Sequence, residues 1–522
     1  MKVLRIVGLT AILLANRGFG QSSTPQMSAS AAARFLDQAT WGPTPASIAE
    51  LQQMGISNWL NAQFALNTSD IPNQPLLDSS GKTNRDIHPV QAAFFQNTVT
   101  GQDQLRQRVA FALSQIWVVS FTGVPVAYAY PPYWRIFRDH AFGNYRDLIH
   151  TVTLSPAMGS YLNMANNNKG NPAKNTSANE NYAREMMQLF TLGLTQLNPD
   201  GTPVLDQNKN PIPTYDQTVV TNMAKVVTGW TYPTAPGATP KNNNPKYFFG
   251  QMFAVESEHD TSAKAIFGNV TIPAGQTAEQ DLDSLLDALM AQPSMAPFVS
   301  EQLIQHLVTS NPSPQYIARV SSVFDNDGNG VPGNLKAVIT AILTDPEARA
   351  GDDPTAASTN ATFGHMREPV LFMANLLRAL NATLTPNSAI YNDSSELGEN
   401  LFNPPSVFSY FSPQYRIQGG LLAPEFQIYT TQTAADRADI VNAILYGTID
   451  KGTSVNLAPF AQQAGSTASL LNAISSVFLH GSMSAELEQA ATDAVNAAST
   501  PTAKAQAALY VVLSSGEYQI IH

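Results

Sequence analysis

The stretch SANENYAREMMQLF, residues 177–190, gathers two glutamates, an arginine and two asparagines in a chain otherwise poor in charge. Wound as an α-helix, it places Glu180, Asn181, Arg184, Glu185 and Gln188 within one arc of about 140°. Tyr182, Met186, Leu189, Phe190 and Gly193 fall on the other side, so the segment is amphipathic. Ser177 followed by Glu180 fits a capping box, which would fix the start of the helix. Two readings follow from this face. As a solvated surface it carries a Glu180–Arg184 pair four residues apart, worth a few tenths of a kcal/mol. Turned into a cleft, the arginine keeps one carboxylate ionised while burial raises the other towards general-acid duty.

A second group lies in ESEHDTSAK (256–264), where His259, Asp260 and Lys264 are close in sequence. It reads either as a polar loop with a surface histidine, or as a base with its orienting partners. Converging with Glu180, Arg184 and Glu185, these residues would form a six-residue catalytic site. Arg108, in LRQRVAFALSQIW (105–117), fits a structural salt bridge better than a catalytic role. In DNDGNGVPGNLK (325–336), Asp325, Asp327 and Asn329 with Gly330 match the early positions of a calcium-binding loop. Lys336 stands where that loop needs a glutamate, so calcium competes here with a tight turn between helices. Gly328, Gly330 and Gly333 spell G-x-G-x-x-G, but a dinucleotide site needs a strand before them and YIARVSSVF reads as helix. There is no H-E-x-x-H, no G-x-S-x-G and no phosphate-loop motif. Standard zinc-protease, α/β-hydrolase and nucleotide-hydrolase readings are disfavoured.

The elements that must position these residues are helical. Apolar residues recur at helical spacing over 44–55, 103–120, 215–230, 278–292, 297–310, 334–345 and 367–380. In the first, Thr44 caps, Pro45 opens and Gly55 closes the helix. Few segments alternate with a period of two, so the expected fold is mainly α, with long loops rich in Asn, Pro and Gly and little or no β. Such loops (163–176, 198–214, 231–246, 350–362, 381–395) are usually functional or mobile in compact domains. The expected organisation is a main domain over 21–450, a linker candidate at 351–362 and a C-terminal helical segment over 451–522. The five tryptophans could line a sugar cleft, although core packing is their ordinary role.

Composition limits the partners. Charged residues make up 13% of the chain, about half the globular average of ~25%, so each charged cluster merits inspection. The formal net charge of −11 argues against nucleic acid or anionic membrane as the main partner. Residues 1–20 read as a cleavable secretory signal: Lys2 and Arg5, an apolar run over 6–15, then Gly18 and Gly20. No later stretch is apolar enough to span a bilayer. The chain has no cysteine, which removes thiol nucleophiles and Cys-ligated metals; a chain this long can be stable on its core alone.

NENYAREMMQLFTLGL (179–194) resembles the N-E-N-[FY]-A-R-E signature of the bacterial "domain of unknown function 1800" family. Segments 33–64, VVTGWTY (226–232), EHDTSAKAIFG (258–268), 323–349 and LFNPPSVFSYFSPQYR (401–416) are similar to other family elements, in the same order. One difference falls after Val407: Phe408, Ser409 and Tyr410 stand where many members carry Gly-Trp. The resemblance implies export and a mainly helical fold, with no established activity. Two functions remain open from the residues. One is a hydrolase or lyase acting on an extracytoplasmic polymer or glycoconjugate, such as a polysaccharide. The other is a non-catalytic envelope or surface protein that binds an exported partner.

Overall fold

The computed structural model describes residues 27–268, 270–352 and 362–522. The secretory signal and residues 353–361 of the linker candidate lie outside the described residues. Helices dominate: 22 α-helices occur among the described residues, with eight strands of two or three residues. The strands form four separate antiparallel pairs. The protein is mainly α.

A chain with few charges starts most of its capped helices with neutral side chains; Asp216 and Asp345 cap two others. Side chains of Thr44, Thr277, Ser313, Asn334, Thr430, Ser466, Ser484 and Thr500 each accept a backbone N–H of the first turn, an interaction worth about 1 kcal/mol. The Pro45–Met54 helix has Thr44 as cap, proline in its first turn and Gly55 at φ +73° after its end. Most other boundaries contract at the C-terminal end. The 103–120 segment is helical over Gln104–Ile116 and leaves the helix at Trp117; the 215–230 segment is helical over Gln217–Val226.

One continuous hydrophobic cluster runs from Ala32 to Ile521. All five tryptophans are buried in it, with Trp41 edge-on to Phe94 at 5.4 Å between ring centres. The C-terminus is tied into the same body. Ile520–Ile521 pairs with His365–Met366, and the approach requires Gly364 at φ +104°, because a Cβ there would collide with the Ile521 carbonyl oxygen.

The signature segment departs from a regular α-helix. Only Asn181–Glu185 is α-helical; Met186–Thr191 widens into a π-helix. The Thr191 hydroxyl donates to the Met186 carbonyl five residues back at 2.7 Å, and the Leu192 N–H reaches Met187. Such insertions occur often at functional sites.

Candidate functional site

The Gln217–Val226 helix organises both groups picked out by sequence, but it holds them apart. At its first two turns, the Glu180 carboxylate accepts from Gln217 Nε2 and Thr221 Oγ1, each at 2.8 Å, and from Arg184 Nη2 at 3.1 Å. Partial burial works to raise Glu180, yet these hydrogen bonds and the Arg184 charge prevail and hold its carboxyl below the ordinary value. Ser177 is exposed and caps nothing; Asn179 Oδ1 instead accepts from Asn181 N at 2.9 Å. The expected capping box is therefore replaced by an Asx turn, which starts the helix later. Glu185 behaves differently from Glu180. It is half-buried and one carboxylate oxygen has no partner. Burial pushes its carboxyl up, with Arg184 only partly opposing the shift.

Past the C-terminal end of the same helix lies a buried trio. His259 Nε2 and Lys264 Nζ approach one oxygen of Asp281 at 3.0 and 2.6 Å, and all three side chains are almost wholly buried. His259 Nδ1 faces the Thr228 carbonyl at 3.0 Å, and Lys264 Nζ donates to the Ser262 carbonyl at 2.9 Å. Sequence reasoning found His259 and Lys264 but missed the residue that joins them. Asp281 lies on the apolar stripe of its helix, three residues after Ala278 and four before Leu285, all buried. An acid in that register was the available signal. Among the described residues the Asp260 carboxylate is not bonded to the trio; it accepts from Ser262 N and Oγ. Among the described residues, no hydrogen bond or ion pair joins the Glu180 group to the His259 group.

The calcium candidate also resolves differently. Asp325 is the last residue of the Pro314–Asp325 helix. Asp327 accepts from Asn329 N, Val331 N and Asn334 Nδ2, while Asn326 Oδ1 takes Gly328 N and Gly330 N. The Asp327 carboxylate thus accepts three hydrogen bonds from within its own loop. Among the described residues there is no group of three acidic or histidine side chains placed to hold a metal.

A third polar group, unmarked by any short motif, surrounds two small cavities. Arg108 and Gln115 lie two turns apart on the Gln104–Ile116 helix, hence on one face. Arg108 is fully buried; Nη2 donates to the His306 carbonyl, while Nε and Nη1 have no partner. Gln115 Nε2 donates to both oxygens of Glu368 at 3.1 and 3.0 Å, leaving its own Oε1 unpartnered. Glu368 precedes the Pro369–Ala379 helix, and Glu399 Oε2 accepts the Val370 N–H at 2.8 Å. Two carboxyl groups therefore meet at one helix N-terminus, which favours negative charge. Burial outweighs that help: Glu368 is pushed up to about 7, and Glu399 is also raised, by burial and by the Glu368 charge. The pair is built to hold a proton.

Next to this pair, His365 Nδ1 meets Glu425 Oε1 at 3.2 Å, while His365 Nε2 and Glu425 Oε2 have no partner among the described residues. His306 is driven down to about 3 by burial and the neighbouring Arg108. A cavity of about 50 Å³ is lined by Gln115, Gln302, Gln305, His306, Ser409 and Glu425 among its polar groups. A second, of about 30 Å³, shares Gln115 and Ser409 with it. Ser409 is held at φ +68°, with its hydroxyl buried and unpartnered. A non-glycine residue there costs on the order of 1 kcal/mol, a strain often kept at functional sites. Asn403 pins the segment by accepting from Ser120 Oγ, Thr122 N and Thr122 Oγ1. Leu189, one turn beyond Glu185, forms part of the first cavity's wall. The three glutamates stand in apolar or proline-flanked runs (REPVLF, ELGENLF, APEFQI), a signal legible in so charge-poor a sequence.

Chemically, the arrangement offers a carboxylate facing a cavity, a histidine partnered to it and a proton-holding acid pair behind a glutamine. Comparison with curated proteins and with solved structures finds no match. The family model described as "Protein of unknown function (DUF1800)" matches residues 34–520, which spans all three polar groups and both cavities, and the chain therefore belongs to the DUF1800 family.

Proposed function

We propose that this chain is an exported acid–base enzyme, a hydrolase or lyase acting on an extracytoplasmic polymer at the cavity beneath residues 401–425. The observation that carries the reading is the convergence of unmet polar atoms at one place. Gln115 Oε1, Gln302 Nε2, Ser409 Oγ and Glu425 Oε2, all on cavity-lining residues, and His365 Nε2, on the partner of Glu425, are buried with no partner among the described residues. Each such atom costs about 1–3 kcal/mol unless something outside the protein fold satisfies it. In this reading Glu425 is the proton-transfer group, oriented by His365, and the Glu368–Glu399 pair sets the field behind Gln115. Glu180 and Arg184 are held by the Gln217–Val226 helix; Glu185, raised by burial, borders the same helical run as Leu189. Export is supported by the basic and apolar leader over residues 1–20.

The non-catalytic envelope reading is favoured by one observation: the cavity is small, about 50 Å³. Purified residues 21–522 assayed on a panel of envelope polymers, beside Glu425→Gln, separate the two. The enzyme reading expects turnover that falls by about 10²–10⁴ in the variant. New reducing ends with or without a new C=C bond distinguish hydrolase from lyase. Equal turnover in both proteins removes Glu425 from the chemistry.

A further inference from the structure

We infer that the unit taken into this cavity is a neutral sugar residue of a polysaccharide, which inserts one hydroxyl-bearing edge while its ring rests on Phe408. The inference rests on the enzyme reading only in using the same cavity; binding and turnover are separate claims about it.

Four observations carry it. The first is the mixture of unmet groups. Gln302 Nε2 is a donor, Gln115 Oε1 and Glu425 Oε2 are acceptors, and Ser409 Oγ can be either. A sugar hydroxyl donates one hydrogen bond and accepts two, so it matches such a mixture. A phosphate or carboxylate would call for donors alone, and an ammonium group for acceptors alone.

The second is charge. Among the described residues no lysine or arginine lines the cavity, and Glu425 is the one acidic residue that does. Arg108 lies deeper, with Glu368, Glu399 and Glu425 acting on it electrostatically. An acidic polymer would meet Glu425 with no cation at the wall to offset it.

The third is the rim. Phe408 lines the cavity yet remains 45% exposed, an aromatic face open to the C–H face of a pyranose ring. Farther out, Tyr415 and Leu421 are also exposed, on a hairpin closed by the Arg416–Leu422 bridge. Its two arms bring Pro413 and Pro424 to the cavity wall. Exposed apolar side chains therefore stand on the same hairpin that lines the cavity, where a chain longer than one sugar would meet them.

The fourth is size. About 50 Å³ has room for about three or four water-sized groups, at ~10–15 Å³ each. That suits the hydroxyls along one ring edge and is too small for a whole ring. The ring must stay at the rim, over Phe408.

The test uses the chain over residues 21–522 and isothermal titration with cellohexaose, maltohexaose and chitohexaose, against hexagalacturonate and hexaglycine. At least one neutral oligosaccharide is expected to bind in preference to the acidic oligomer and the peptide. Phe408→Ala and Gln302→Leu are expected to weaken it by about tenfold each. Phe408 is exposed, so its variant should melt like the parent and any loss of binding is local. Preference for hexagalacturonate or hexaglycine, binding untouched by both substitutions, or no oligosaccharide bound at millimolar concentration would each overturn the inference. Sugar binding without any Glu425-dependent turnover sinks the enzyme reading and leaves this one standing. Glu425-dependent turnover of a polymer that contains no sugar does the reverse.

Discussion

Arg367 and Glu368 are neighbours in the chain, yet they enter buried polar networks of opposite character. Arg367 donates from Nη1 and Nη2 to the two oxygens of Asp37, each at 2.7 Å, and from Nε to the Tyr518 carbonyl at 2.8 Å. Asp37 also accepts from His480 Nε2 at 2.9 Å and Asn375 Nδ2 at 3.2 Å, and Tyr518 Oη donates to Asn375 at 2.7 Å. Burial works to raise Asp37, but the Arg367 and His480 charges overcome it and hold its carboxyl well below the usual range. Glu368 belongs to a network in which Arg108, Gln115, Glu399, Glu425 and His365 each leave an atom without a partner. The first network is complete within the protein and joins the Ala29–Ala39 helix to the C-terminus. The second is incomplete, and it lies against cavities. Buried polar groups of similar kind thus separate by whether the fold itself satisfies them.

The largest expected effect tests the complete network. Arg367→Met leaves Asp37 buried without its main partner and should destabilise the protein by about 3–5 kcal/mol, read by urea denaturation. A loss under about 1 kcal/mol would mean that the network is not a structural tie. The reverse charge balance at Glu368 predicts an opposite pH response. Its folded value, about 7, lies above its ordinary 4.5. Its contribution to stability is therefore present below 4.5 and is lost as pH rises through about 7. Asp37, held low, contributes above its ordinary 3.8 and loses that contribution as pH falls. Glu368→Gln should flatten the decline of melting temperature between pH 4.5 and about 7; an unchanged slope would remove the acid pair as its source. The smallest effect belongs to the surface group. Glu180→Gln breaks a half-exposed ion pair and should cost less than about 1 kcal/mol, measured by the same denaturation. A larger loss would place Glu180 with the buried networks.

How much of this was legible depended on the range of the interaction. The amphipathic face of 177–190 was readable, because helical spacing is local. The π-helix over Met186–Thr191 was not, since the spacing of apolar residues does not mark where a helix widens. His259 and Lys264 stood out by type, while Asp281, 17 positions beyond Lys264, was one of several acids in its stretch, with Glu279, Asp283 and Asp287. Phe408, Ser409 and Tyr410 were visible as a difference within a family-like segment; their place on the cavity walls was not.

The sequence by itself determined the helical class, the mostly neutral capping of its helices, and the absence of thiols and of the common catalytic motifs. Each follows from residue type and spacing within a few turns. Only the tertiary structure decided which polar groups meet. Glu368, Glu399 and Glu425 come from three separate segments and converge with Arg108 and Gln115 from a fourth. It also decided that Glu180 and His259 stand towards opposite ends of one helix. Burial and partnership set the protonation of a carboxyl, and both are properties of packed neighbours distant in the chain.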